Sequence, residues 1–193
     1  MSRSDAQGGL GSPAGLPRWP VRLADVPPSG LHIRRRDLSA ADLAAFALFI
    51  GVEAIAAMDV DLHVKPYRGD GLAVSGRVRA EVGQTCVVTL EPMTSSIDEE
   101  VEATFRPEEK LKPHLVHDEE DGLSIDASVA AADPLVGGVI DAAAIAAEFL
   151  ALGVDPYPRK PDSSFDAPSA GAEASPFAGL SKLAGLSKLK RDT

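Results

Sequence analysis

Reactive chemistry in this chain has to come from a small set of side chains. Its one cysteine, Cys86, sits in TCVVTLEP, where Thr85, Val87 and Val88 are neutral or apolar. The alternation of Cys86, Val88 and Leu90 predicts an inward-facing set. Burial among apolar groups raises a thiol pKa and quenches reactivity, so Cys86 reads as a core thiol and not a nucleophile. His114 and His117, followed by Asp118, Glu119, Glu120 and Asp121, have the donor types of a divalent-metal site. Pro113 and Gly122 break that segment and no supporting framework is visible, so it reads as a solvated acidic loop. Gly8, Gly9 and Gly11 precede no strand-to-helix unit and make no phosphate loop. The G-x-S-x-G and H-E-x-x-H patterns are absent, and no two carboxylates can be paired across a cleft. Arg34, Arg35 and Arg36, with Arg159 and Lys160 further on, are candidates for phosphate contacts. Six Phe, two Tyr and one Trp are too few for a base-stacking platform. The chain does not read as an enzyme, and no cofactor or metal is expected.

Periodicity shows which elements must position these groups. Residues 1–15, rich in Gly, Ser and Pro, read as a disordered tail. Residues 19–23 and 31–36 read as short extended segments on either side of VPPSG. Asp37 or Ser39 caps a helix with Leu43, Phe46, Ala47 and Ile50 on helical spacing. Val52, Ile55 and Ala56 are expected to carry it past Gly51 to about Ala57. Met58, Val60, Leu62 and Val64 alternate with Asp59, Asp61, His63 and Lys65. Beyond YRGDG, Leu72, Val74, Val78, Ala80 and Val82 keep the same period, which predicts a β-hairpin. Centred near Gly69, it sets Arg77 against Asp61 and Arg79 against Asp59 as cross-strand ion pairs. Gly83 marks a turn, or a bulge in one long strand. EPMTSS is expected to turn the chain into a return strand bearing Ile97, Val101, Ala103 and Phe105, with Cys86 across from Val101. A mobile acidic loop follows over 107–126, with a short strand near 123–126.

Asp141 caps a second helix, with Ile145, Phe149 and Leu152 on one face. Its exit DPYPRKP is expected to be ordered by its prolines, with Tyr157 over apolar surface. Arg159 then pairs with a carboxylate such as Asp155 or faces a partner. Residues 162–174 read as a linker. Residues 175–193 carry the tandem GLSKLA and GLSKLK, an amphipathic helix whose Phe177, Leu180, Lys182 and Leu183 dock on the domain or on a partner. The fold class is α+β: an antiparallel sheet or partly closed barrel with two packing helices and a tethered C-terminal helix. Residues 16–161 make its single domain.

Composition fits one soluble domain with tails: 193 residues, 45% hydrophobic, 25% charged and a net charge of −10. The apolar, uncharged run over 43–52 is too short for a bilayer, and the N-terminus lacks a secretory core, so a cytoplasmic location is expected. Residues 91–126 hold 12 acids against 3 bases, while both ends are basic. An acidic body with basic ends repels RNA phosphates and attracts basic proteins.

Three stretches, GLAVSGRVRAEVGQTCVVTLEPM (71–93), AIAAEFLALGVDPYPRKP (144–161) and SPFAGLSKL (175–183), carry a resemblance. Together they resemble the YceD family of large ribosomal RNA subunit accumulation proteins, in its alphaproteobacterial branch, over roughly residues 17–190. The resemblance implies a role in accumulation or processing of large-subunit (23S) rRNA, and so in ribosome assembly, without an established enzymatic activity. It marks Cys86, Thr89, Leu90, Glu91, Pro92, Asp155, Tyr157 and Pro158 as structural motif residues. Some relatives carry a second cysteine beside the position of Cys86, and CVVTLE has none.

The expected function is therefore a non-catalytic assembly factor that binds a large-subunit precursor. A basic ribosomal protein suits the acidic body better than rRNA does. A direct RNA-binding module using Arg34, Arg35, Arg36, Arg159 and Lys160 is the second reading. A protein-interaction domain unrelated to ribosomes is the third. Nothing points to a hydrolase, a membrane or a small-molecule substrate.

Overall fold

The computed structural model describes residues 15–111, 115–118, 122–125 and 132–164. Contacts group Met1–Lys160 as one unit and Pro161–Thr193 as another. Apart from residues 15 and 162–164, the expected N-terminal tail, linker and C-terminal segment lie outside the described residues.

The described elements, in chain order, are β1 (Pro20–Arg22), β2 (Leu31–Arg35), α1 (Ala40–Ile50), β3 (Ala54–Tyr67), β4 (Gly71–Thr85), β5 (Pro92–Arg106), β6 (Leu115–Asp118), β7 (Gly122–Ile125), β8 (Ala132–Pro134), β9 (Val139–Asp141) and α2 (Ala142–Leu152). Five strands form one sheet in the order β2-β3-β4-β5-β8, antiparallel except for β5 with β8. The fold is α+β, and the sheet stays open, so the barrel alternative is overturned. Its apolar face follows from alternation. Val60, Leu62, Val64, Leu72, Val74, Val78, Val82 and Val101 lose all or nearly all solvent contact. Both helices pack on that face, α1 against β3 and α2 against β4 and β5. Phe46 and Ile50 come from α1, and Ile145 and Leu150 from α2, where Ala142, Ala143, Ala146 and Ala147 allow close approach. Asp141 ties the ends of this unit together. Its Oδ1 accepts the N–H of Trp19 (2.9 Å) and caps α2 through the N–H of Ala143 (3.0 Å), while β1 pairs with β9.

The structure corrects several sequence expectations. Ser39 caps α1 as expected, but the helix ends at Ile50 because Gly51 takes the left-handed conformation (φ 76°) and closes it on Ala47 O. Ile55 therefore starts β3 instead of extending the helix. The β3–β4 register is as expected, with Asp59 facing Arg79 and Asp61 facing Arg77. Strand β4 runs straight through Gly83, and the irregularity falls opposite, between Ile55 and Ala57 of β3. Its last pair with β5 is Thr85 with Pro92, so the turn is CVVTLE, not EPMTSS, and Val101 faces Gly76 rather than Cys86. On α2, the alanine-lined contact turns Leu150 inward and leaves Leu152 77% exposed. The expected acidic loop contains a hairpin, β6 with β7, whose pairs run from Leu115–Ile125 to Asp118–Gly122. Among the described residues, no helix is long and apolar enough to cross a membrane.

Candidate functional site

The two most distinctive sequence motifs meet at one place. Past Thr85 the turn closes on itself: the N–H of Cys86 donates to Glu91 O and the N–H of Leu90 to Cys86 O, each 2.9 Å. Closing so tight a turn puts Leu90 in the left-handed region (φ 58°), with its side chain 77% exposed. The exit from α2 then lies along this turn. The N–H of Val87 donates to Pro158 O (2.9 Å), and the side-chain amide of Gln84 donates to Asp155 O (2.9 Å). The N–H of Lys160 reaches Cys86 Sγ (3.4 Å), as does that of Thr89 (3.5 Å). An ion pair of 2.7 Å between Lys160 Nζ and Glu91 Oε2 closes the outer side. Within the exit, Asp155 Oδ1 accepts the N–H of Tyr157 (2.8 Å), fixing a local turn ahead of the buried Pro158.

Cys86 is thus a hydrogen-bond hub. Its side chain has no exposed surface, yet it stands outside the apolar core cluster. The Thr89 hydroxyl and the N–H groups of Lys160 and Thr89 stabilise the thiolate and outweigh burial, lowering the pKa to about 6. The sequence expectation of a raised pKa in an apolar strand is overturned, because the cysteine lies in a polar turn. Lys160 likewise holds the Glu91 carboxyl below its ordinary range, through its hydrogen bond and its charge. With the sulfur closed off, the exposed groups of the turn and exit include Val87, Leu90, Tyr157 and Arg159. Tyr157 is 71% exposed, so most of its ring faces solvent. Arg159 has no ion-pair partner among the described residues, and Asp155 is engaged by the Tyr157 N–H instead. Such an assembly can present a fixed surface to a partner. Sequence spacing gave no sign that residues 86–91 and 155–160 would touch, since neither motif has its own complement nearby in the chain.

Of the arginines expected to contact phosphate, Arg34 and Arg36 occupy the open face of the sheet, away from the helices, as do Arg77 and Arg79. Arg34 Nε pairs with Asp61 Oδ2 and Arg36 Nε with Asp59 Oδ2, each at 3.0 Å. Arg77 and Arg79 each reach Asp98 of β5 at 3.2 Å. Arg35 lies over the Trp19 ring, 5.5 Å from its centroid. The expected Arg77–Asp61 and Arg79–Asp59 ion pairs are therefore replaced. Because β2 flanks β3, Arg34 within it and Arg36 just past its end take those aspartates, and the β4 arginines turn to β5. Arg79 first, then Arg77, keeps the Asp98 carboxyl below its usual range. His32 and His63 stack beside this ladder, with ring centroids 3.9 Å apart, a pairing that isolated histidines in sequence did not suggest.

His117 and Asp118 lie on β6, while His114, Glu119, Glu120 and Asp121 fall outside the described residues. Phe177, Leu180, Lys182 and Leu183 fall outside them too. Among the described residues, no group of three or more His, Cys, Asp or Glu is arranged to hold a metal.

No curated protein and no solved structure matches the chain. A family model does match, that of the large ribosomal RNA subunit accumulation protein YceD, over residues 74–190. The match begins within β4, later than the resemblance read from residue 17, and contains both the turn at 86–91 and the exit at 155–160. More than half of the sequence is matched, including the two motifs that the fold joins through Cys86, and the chain therefore belongs to the YceD family.

Proposed function

We propose that this protein supports accumulation of large-subunit rRNA in the cytoplasm by binding rather than by catalysis, and that its direct partner is a basic protein of the large-subunit precursor. One observation carries this preference over bare RNA: Arg34, Arg36, Arg77 and Arg79 are each held by an aspartate of the same sheet face. Their charge is offset within the ladder, leaving little to displace counterions from a phosphate backbone. On β5, by contrast, Glu99, Glu100 and Glu102 have no cationic partner among the described residues. An acidic surface attracts basic proteins and repels RNA. The exposed residues of the turn and exit, Val87, Leu90, Tyr157 and Arg159, supply a second contact. The C-terminal residues Phe177, Leu180, Lys182 and Leu183 are proposed to dock as an amphipathic element once the partner is bound.

Affinity purification from growing cells tests this reading. Large-subunit precursor, or a free basic ribosomal protein, is expected to come with the protein. A salt titration of purified protein against large-subunit rRNA is expected to show weak binding. Tight, steeply salt-dependent rRNA binding that Arg34→Ala with Arg36→Ala abolishes would establish the RNA-binding reading instead.

A further inference from the structure

The two long sides of the main sheet are finished differently. On one side β2 is a strand of 5 residues bearing Arg34 and Arg35, a short and charged edge of the kind that resists adding strands. On the other side β5 is 15 residues long, and β8 covers it only at Thr104, Phe105 and Arg106. Among the described residues, no strand pairs with the outer edge of β5 from Pro92 to Ala103. That edge is regular. Its register with β4 runs without a break from Leu72–Phe105 to Thr85–Pro92, and Pro92 at its start is its one proline. It has no bulge, no interior proline and no lysine, so its one protection against added strands is negative charge. What it carries is acid. Asp98, Glu100 and Glu102 are exposed on the open face and Glu99 lies on the helix side, with Asp98 alone engaged by arginine.

We infer that the edge of β5 that no described strand covers is a docking site for an extended, Lys/Arg-rich segment of a partner protein, which adds to the sheet as a further strand. Main-chain N–H and C=O groups give such a segment its affinity, and side chains at alternate positions give its selectivity. A basic residue on the added strand stands directly beside Glu100 or Glu102, where opposite charges stabilise a cross-strand pair. A second copy of this chain is disfavoured at the same edge, because it would bring two rows of glutamates together. This inference rests on the reading of the protein as a binding factor for a basic component, and it specifies where and in what conformation that component sits.

The test uses the full chain and a synthetic alternating Lys-Val peptide of about ten residues, which at ~3.4 Å per residue matches the free stretch. The readout is amide hydrogen exchange of β5. With peptide bound, alternate amides between Thr94 and Glu102 are expected to exchange at least about tenfold more slowly, as newly paired edge N–H groups do. The same peptide N-methylated at every residue keeps its charges, loses its N–H donors, and is expected to give no protection. Glu100→Gln with Glu102→Gln, both on the exposed face, is expected to weaken peptide binding about tenfold with the melting temperature preserved. Unchanged β5 exchange in the presence of the peptide, or equal protection by the N-methylated form, overturns the inference, as does a β5-paired dimer of the free protein. These results are independent of co-purification: a wild-type protein that brings down no large-subunit component sinks the functional reading, while unprotected β5 amides sink the docking site.

Discussion

Cys86 owes its lowered pKa, about 6 against an ordinary 9.0, to N–H and O–H donors that arrive from both the turn and the α2 exit. An acid whose pKa is depressed by folding adds stability that is complete above the unfolded value and is lost as pH falls through the folded one. Folding stability is therefore expected to rise between about pH 6 and pH 9, and Cys86→Ala is expected to flatten that rise. Chemical denaturation of both proteins across this range checks it; parallel pH profiles would show that the thiolate is not stabilised by the fold. Because the sulfur has no exposed surface, native Cys86 is also expected to react with a thiol reagent far more slowly than free cysteine. Arg159 gives the complementary case. It has no ion-pair partner among the described residues, so Arg159→Ala is expected to change stability by no more than about 0.5 kcal/mol while weakening co-purification of ribosomal material. A marked fall in stability with association intact would assign the residue to the fold. At Asp98 the expectation is a gain: Asp98→Ala releases Arg77 and Arg79, shifts the melting temperature by no more than about 3 °C, and raises salt-sensitive rRNA retention in a filter assay.

Two glycines of β4 separate close backbone approach from mere smallness. Gly76 has φ 151°, and a Cβ there would collide with the backbone oxygen of Asp61 on β3. Gly76→Ala is expected to cost about 2–4 kcal/mol in urea denaturation. Gly83 is free of that constraint, and its nearest neighbour to an added Cβ is Ala54 Cβ at 3.7 Å, so Gly83→Ala is expected to be neutral or mildly stabilising. Equal losses at both sites would mean that strand propensity, not collision, sets the effect. The same strand shows what periodicity can and cannot reveal. Alternation from Met58 to Val82 identified β3, β4 and their register, because side chains that must face one core leave a period of two in the sequence. It misplaced the next turn, since Cys86, Val88 and Leu90 alternate like a strand while the chain bends through them. It also overran Gly51, where one left-handed residue ends α1 amid continuing apolar residues. Within the candidate site, Asp155 and Pro158 were legible as an ordered exit, but their attachment to Gln84 and Val87 depends on contacts about 70 residues apart that no local pattern encodes.

For the molecule as a whole, the functional reading divides the work between an acidic sheet and a basic C-terminus. Removal of residues 175–193 is expected to leave the melting temperature unchanged and to abolish association with the ribosomal partner. A truncated protein that unfolds, or that still binds normally, would remove the segment from the docking scheme. The pairing of β1 with β9 has a further consequence, which concerns time. Trp19 and Asp141, which lock this pairing, are 122 residues apart. At ~5–20 residues per second, translation takes roughly 6–24 s to make that interval. Strands β3, β4 and β5, joined by local hairpins, can pair during that wait, whereas β1 has no strand partner until Val139, Ile140 and Asp141 have been synthesised. A newly made copy can therefore hold a hairpin sheet while β1 is still unlatched, and synthesis of β9 sets the earliest moment at which that latch can close.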